Sequence, residues 1–424
     1  MTAPLTRRVV LSGEGFYNRY AENPQELIAQ LEQGKAIVSE PFFARDSDAL
    51  MLNLPANPRY VPLLHSSKGP YTPDGEEVFS LLEKVIGQAL NDAGMAEMLL
   101  QGERSRCYIA GNAMRANIAD FIHYQQQNDP QDLQFFPQIK VLHSDSFSQD
   151  RLINRLAARY ALRWPPVQIY TASSSGLSAL HLAQQNIAAD NIDVALVVGW
   201  MDQTLQDLML LSAKNMLSDS DNQPFSAQSQ GVLPVSGVVA LVLESEQHAR
   251  QRGRHSRIGI SASVSGQRRG GHAFAADFRV IASSFNRVLE QAQLASSQIA
   301  AVLPHGNGIC LSDNAEAMAI THIWGPEAVP VVSYKSQMGY LSSCSGLADV
   351  IIAADALRQK RLLAFSARLP LDKRSRLALH SNATPLRLEQ NHIVKSSLGL
   401  GGAALACIIS ALSAEEPGEC HAVH

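Results

Sequence analysis

Four short segments of this 424-residue chain hold side chains that could do chemistry. The first, Tyr170-Thr-Ala-Ser-Ser-Ser-Gly176, places Ser173 where a strand turns into a helix. Free amides and the helix dipole at such a corner favour developing negative charge, so a nucleophile there would be activated. The same serines would equally serve as a helix N-cap. The second, Pro304-His-Gly-Asn-Gly-Ile-Cys-Leu-Ser-Asp313 with Glu316 beyond, sets His305 at a strand end ahead of glycines. A histidine so placed is a proton donor, an oxyanion partner or a structural residue. The third, Ser333-Tyr-Lys-Ser-Gln-Met-Gly-Tyr340, offers Lys335 as a buried paired cation or a surface lysine. The fourth, Lys395-Ser-Ser-Leu-Gly-Leu-Gly-Gly402, has glycines that permit close backbone approach or left-handed turns. It also reads as a packed turn before a buried helix.

The elements that must position these segments alternate along the chain. Arg8–Ser12 reads as a strand, and Gly13-Glu14-Gly15 as a tight turn after it rather than a nucleotide loop. Pro24–Gly34 reads as a helix and residues 41–75 as a long excursion. In Glu76–Ala93, Val78, Leu81, Leu82, Val85, Ile86 and Leu90 form one helical stripe. Cys107–Ala110 and Val167–Tyr170 read as strands, Ser174–Ala189 as a helix, and Val194–Val198 as a strand buried on both faces. Strands at Val238–Leu243 and Ile258–Val264 flank Arg250-Gln-Arg252-Gly-Arg254, read as a solvated helix end. The boundary falls there, giving halves 1–255 and 256–424. The second half repeats the alternation: helix Phe278–Leu294, strands Ala300–Leu303 and Val329–Val332, helix Ser345–Arg358, strand Leu362–Ala367, then His392–Val394. The pattern predicts α/β layers in the order helix, sheet, helix, sheet, helix. The tail Ser413–His424 is expected to fray.

Composition narrows the classes. Lys+Arg 35 against Asp+Glu 39 gives a net charge of −4, with no basic excess to mark nucleic acid as the main ligand. With 46% hydrophobic and 17% charged residues, the chain can bury a large core and is not a disordered type. Cys107, Cys310, Cys344, Cys407 and Cys420 are odd in number and far apart, which argues against a disulfide framework or a zinc site. They read as buried or incidental thiols. The N-terminus lacks the apolar core of a signal peptide. The longest apolar run, Leu398–Leu412, is shorter than the ~20 residues of a membrane span. A soluble, cytoplasmic protein without metal or other cofactor is expected. Lys214, Arg268 and Arg269 could meet an acidic carrier protein or simply face solvent.

Taken in order, the four segments resemble the β-ketoacyl-acyl-carrier-protein synthases of the thiolase superfamily. The family nucleophile motif TACSSG reads here Thr171-Ala-Ser173-Ser-Ser-Gly176. HGTGT with ND..E beyond reads His305-Gly-Asn-Gly-Ile, then Ser312-Asp313 and Glu316. TKS..GH reads Tyr334-Lys335-Ser336-Gln-Met-Gly339-Tyr340, and NSFGFGGTN reads Ser396-Ser-Leu-Gly-Leu-Gly-Gly-Ala-Ala404. The stretch from Pro224-Phe225 through Gly231–Gly237 to Leu243-Glu244, and the opening RRVVLSGEG, are similar to the family too. The resemblance spans about residues 7–407. It implies a duplicated, thiolase-like α-β-α-β-α fold, a family-type dimer, and a buried ion pair of Lys335 with Glu316 or Asp313 that orients the His305 loop.

The departures from the motifs carry the functional expectation. A condensing enzyme uses one cysteine for the acyl thioester and two histidines for the enolate oxygen. Here the cysteine position is Ser173, one histidine is His305, the other is Tyr340, and the gate phenylalanine is Leu400 between Gly399 and Gly401. A thiol near pKa ~8.5 is partly ionised at a helix end, whereas a hydroxyl needs an adjacent base. Losing one oxyanion donor alone costs ~10²–10³ in rate. The pattern resembles a chain length factor, a catalytically silent subunit that pairs with a cysteine-bearing ketosynthase, shapes the acyl tunnel and works with an acyl carrier protein. Among discrete systems it is most similar to the factor-like subunit of aryl polyene biosynthesis. Two other readings stay open. One is a self-sufficient acyltransferase or malonyl-carrier decarboxylase using Ser173, His305 and Tyr340. The other is a homodimeric module that binds acyl chains or carriers.

Overall fold

The computed structural model describes residues 7–63, 75–111, 149–218, 222–268 and 276–412. Arg269, Cys420 and the tail 413–424 lie outside the described residues. Among the described residues eleven strands join in one sheet: β1 Val9–Tyr17, β2 Ser105–Ala110, β3 Val167–Ile169, β4 Val194–Met201, β5 Gly237–Ser245, β6 Ile258–Gln267, β7 Ile299–Leu303, β8 Pro330–Val331, β9 Ala378–Leu379, β10 His392–Leu398 and β11 Ala403–Ala411. Across the first half the order is β3-β2-β4-β5-β1, and across the second β9-β8-β7-β10-β11-β6. In each half neighbouring parallel strands precede an antiparallel run: β3, β2 and β4, then β5 and β1; β9, β8, β7 and β10, then β11 and β6. The chain is therefore duplicated at the level of topology. The seam is β1 against β6, with Val10 opposite Gly259.

Five helices cover the faces: α1 Gly75–Ala93, α2 Ser175–Ala188, α3 Phe278–Ala292, α4 Cys310–Trp324 and α5 Ser345–Gln359. Alternation along the strands sorts side chains between layers. Val197 and Leu241 of the first half, with Leu303 and Leu405 of the second, pack on Leu177 and Leu180 of α2 and Leu347 and Ile351 of α5. Val198 and Val242 point the other way, onto Val85 and Ile86 of α1. Val302 and Ile408 face Phe285 and Val288 of α3 and Ile320 of α4. The layers are thus α-β-α-β-α, with α2 and α5 shared in the middle.

Three local expectations are corrected. Gly13 and Gly15 are not a turn but lie inside β1. A Cβ at Gly13 would sit 2.0 Å from the Ala89 carbonyl oxygen, and one at Gly15 2.1 Å from that of Val85, so both glycines exist to let α1 lie against the strand. Gly13→Val is expected to destabilise the chain by about 3 kcal/mol, seen as a lowered urea midpoint; an unchanged midpoint would remove this account. The apolar run after the glycine-rich turn is a strand, not a helix: β11 lies between β10 and β6 and is covered on both faces, which makes its sequence continuously apolar. The arginine run is not simply solvated. Arg252 donates to Glu244 at 2.6 and 2.8 Å and to the Ala93 and Gly94 carbonyls, tying the end of α1 to β5. Within the excursion, Glu40–Pro41 pairs with Arg59–Tyr60, and Phe42, Phe43 and Tyr60 pack on Leu205 and Leu208.

Candidate functional site

Between β3 and α2 the chain makes an elbow whose sharpest residue, Ala172, has φ +51°. Such a left-handed alanine is costly and must be held by its surroundings. The serines hold it: Ser174 Oγ donates to the Thr171 carbonyl at 2.7 Å, and Ser175 Oγ donates to that of Ala172 at 2.6 Å while accepting from Thr171 N–H. The N-cap, Ser174, makes no side-chain cap hydrogen bond, so the serine run braces the elbow rather than capping α2. Ser173 is left half-buried at the N-terminus of α2.

His305 follows β7 in a loop clamped by two buried carboxylates from α4. Glu316 accepts from the N–H groups of His305 and Gly306, both at 2.8 Å, and from Ser396 Oγ at 2.6 Å. Asp313 accepts from the N–H groups of Phe225, Asn307 and Gly308. Burial pushes the Asp313 carboxyl up to about 7 despite these donors. Neither carboxylate pairs with Lys335, and this corrects the expected ion pair. Lys335 Nζ lies 3.0 Å from Asp349 of α5, and Lys395 Nζ of β10 lies 2.6 Å from the same carboxylate. Lys395 also donates to the carbonyl of Pro304 at 2.9 Å, one residue before His305. The carboxylate is shared by two ammonium groups because β10 runs beside β7 and brings a lysine that the motifs do not include. Burial would raise the Asp349 carboxyl, but the two lysines hold it below the usual carboxylate range.

Tyr340 is placed by Gly339, whose φ is +70° and where a Cβ would lie 2.2 Å from Val235. Its backbone pairs with Leu233 and Val235. The hydroxyl lies 3.3 Å from His305 Nε2, with the two rings edge to face at 5.6 Å. It also interacts with the side chains of Ser173 and Asn307, and burial pushes the phenol up to about 12. His305 is held well below its ordinary pKa by burial first and by the fields of Lys335 and Lys395 second. At neutral pH the cluster is therefore an alcohol, a neutral imidazole and a neutral phenol.

Ser173, His305, Tyr340, Gly399 and Leu400 line one cavity of about 560 Å³. Gly401 is exposed, at the tip of the β10–β11 turn. A Cβ on Gly399 would meet the Thr171 carbonyl at 2.7 Å and Ser174 Oγ at 2.8 Å, so this turn is seated directly on the elbow. Lys214 stands on the cavity wall, and Arg268 packs against Gly402. Asp349, Lys395, Asn307 and Cys310 were not expected as site residues. The signal for Lys395 was its lone charge in an apolar strand, and for Asn307 its place two residues after His305. Cys310 lines the cavity, but burial raises its thiol pKa and its Sγ donates to the Ser229 carbonyl. Cys107, Cys344 and Cys407 are buried, each pushed up to about 12. Among the described residues no cluster of three His, Cys, Asp or Glu is placed to hold a metal, and no helix is long and apolar enough to cross a membrane.

The model of the β-ketoacyl synthase N-terminal domain matches residues 77–249, and that of the C-terminal domain matches residues 256–366. The chain belongs to the β-ketoacyl synthase family. It is 27% identical over 293 residues to a hybrid PKS-NRPS synthetase, pytA, of Aspergillus terreus, covering 66% of this chain and 41% of that protein. It is 31% identical over 216 residues to erythronolide synthase EryA3 of Saccharopolyspora erythraea, covering 48% of this chain and 7% of that one. The chain thus spans less than half the length of these relatives. Among solved structures, the ishigamide ketosynthase/chain length factor matches with TM-score 0.82 at 20% identity, covering 96% of this chain and 100% of that one. The ketosynthase ApeO in complex with its chain length factor ApeC, from Xenorhabdus doucetiae, matches with TM-score 0.76 at 17% identity, covering 97% and 100%. At such identities the likeness establishes the family fold.

Proposed function

We propose that this chain is a catalytically silent, chain-length-factor-like subunit that pairs with a cysteine-bearing ketosynthase and shapes the cavity for a carrier-bound chain, of aryl polyene type. One observation carries the reading: the side chain that Ser173 meets is the Tyr340 phenol, not a free base. The groups nearest it are a phenol that keeps its proton and an imidazole whose Nε2 is engaged by Tyr340 and Asn307. A serine nucleophile needs a base to take its proton as it attacks, and the lone pair of His305 Nε2 is already taken up by the Tyr340 hydroxyl and the Asn307 amide. The aryl polyene assignment rests on the Ser173, His305 and Tyr340 pattern alone.

Support for a partner comes from the sheet edge. Among the described residues β3 is the outermost strand of the first half; Val167 within it, and Tyr170 and Leu182 near it, are 39%, 42% and 40% exposed. Apolar side chains exposed beside a strand at the end of the sheet invite a second chain. Tyr170 also lines the cavity, so the cavity reaches this face. The division into halves 1–255 and 256–424 remains part of this proposal, and the repeated strand order supports it.

Co-purification with a ketosynthase that retains its cysteine tests the proposal. A one-to-one complex is expected, with elongation of a carrier-tethered substrate only by the pair. Ser173→Ala is expected to leave the rate of the pair within about twofold, since an unactivated hydroxyl contributes nothing to the chemistry. Elongation by the isolated chain, carbon dioxide release from malonyl-carrier, or an acyl adduct on Ser173 in an intact-mass spectrum would establish the enzymatic reading instead.

A further inference from the structure

We infer that Asn307 is a positioning residue that locks His305 in the tautomer whose Nε2 carries no proton, so that this nitrogen cannot donate to an oxygen in the cavity. The inference deepens the proposed silence of the site, while its geometry stands apart from any pairing with a second chain.

The orientation of the Asn307 amide is set by its own backbone. Oδ1 accepts the N–H of Ile309 at 3.0 Å, which leaves Nδ2 facing His305 Nε2 at 3.2 Å. An amide nitrogen only donates, so Nε2 must offer its lone pair and the ring proton must sit on Nδ1. The Tyr340 hydroxyl is a second group at the same nitrogen, 3.3 Å away. Asn307 is itself fixed. It is 3% exposed, and its N–H donates to Asp313 Oδ1 at 3.0 Å. Burial and the two lysines keep a second proton off the ring.

The consequence is an inverted site. Stabilising an oxyanion takes N–H or O–H groups aimed at the place where the charge develops. Here the Asn307 N–H is aimed at the imidazole, and the imidazole turns a lone pair toward the two side chains around it. A carbonyl oxygen brought up to Nε2 would meet that lone pair rather than a proton. Restoring Ser173 to a thiol would leave this obstacle in place.

The tautomer can be read directly. The full chain, labelled with ¹⁵N-histidine, is examined by long-range ¹H–¹⁵N correlation, with His305→Gln identifying the His305 signals. Wild type is expected to show a protonated-type Nδ1 and an unprotonated-type Nε2, in an excess of about tenfold or more. Asn307→Asp puts an acceptor against Nε2 and is expected to move the proton there. Asn307→Thr removes the amide donor and is expected to give a mixture of the two forms. A protonated Nε2 in wild type overturns the inference, as does an Nε2 that stays unprotonated in both variants. Where Asn307→Asp does not fold, the wild-type spectrum still decides the tautomer and Asn307→Thr decides its cause. Failure to find a partner subunit would leave these spectra unchanged, so the two ideas fail separately.

Discussion

Asp349→Asn is expected to cost about 3–5 kcal/mol of stability, read as a large drop in the urea midpoint of the purified chain. Asp349, Lys335 and Lys395 are all at least nine-tenths buried, and the carboxylate is 3.0 and 2.6 Å from the two ammonium nitrogens. Asparagine keeps the shape and one acceptor oxygen but leaves two positive charges in the interior with no counter-charge in contact. Lys395 would keep only neutral acceptors, the amide oxygen and the Pro304 carbonyl. Removing one partner of a buried ionic group is costly because the remainder stays desolvated, whereas replacing the whole group by apolar residues is often neutral. The triple variant Asp349→Leu, Lys335→Met, Lys395→Met is therefore expected to recover much of the loss. A loss below about 1 kcal/mol for Asp349→Asn would mean that water reaches the lysines and that the group is not what holds the loop.

Acidification should separate wild type from His305→Gln by about 1.4 kcal/mol per pH unit, beginning near pH 6.5. The imidazole is held well below its ordinary value in the folded chain by burial and by Lys335 and Lys395. Below pH ~6.5 the unfolded chain takes up a proton at this position and the folded chain does not. Stability contributed by the neutral ring is thus complete above that pH and is lost as pH falls toward the folded value. Asp202 and Asp313 act in the opposite sense. Burial pushes both to about 7, so the folded chain binds their protons more tightly than the unfolded chain, and acidification from there toward pH ~4 stabilises it. The net curve for wild type alone therefore mixes both signs. The difference between wild type and His305→Gln, taken from urea midpoints at successive pH values, isolates the imidazole. Parallel curves between pH 6.5 and 5 would show that His305 is not held neutral.

Ser173, His305 and Tyr340 were singled out through motifs that resemble the family's, and in the structure all three line one cavity. The layer order was legible from the alternation of apolar strands and amphipathic helices. What escaped depends on which distant elements become neighbours. Gly13 and Gly15 follow a strand-like run and resemble a turn until α1 is seen lying on them. Lys335 was assigned the nearest acidic residues of its motif partner, but its counter-charge comes from Asp349, one helix later. Lys395 belongs to the same group only because β10 runs parallel to β7, a pairing that no local pattern encodes. The apolar run after Gly402 has no period that separates a doubly covered strand from a buried helix. Asn307 was visible as a departure in a motif, yet its role follows only from the direction of its amide.

The shared middle layer makes the chain indivisible in a way its twofold topology disguises. Leu303 and Leu405 of one repeat, and Val197 and Leu241 of the other, find their cover in the same pair of helices, α2 and α5. Either repeat taken away would strip the inner face of the other sheet. Neither copy is a module to borrow, and a cut at the repeat junction is not expected to yield two foldable proteins.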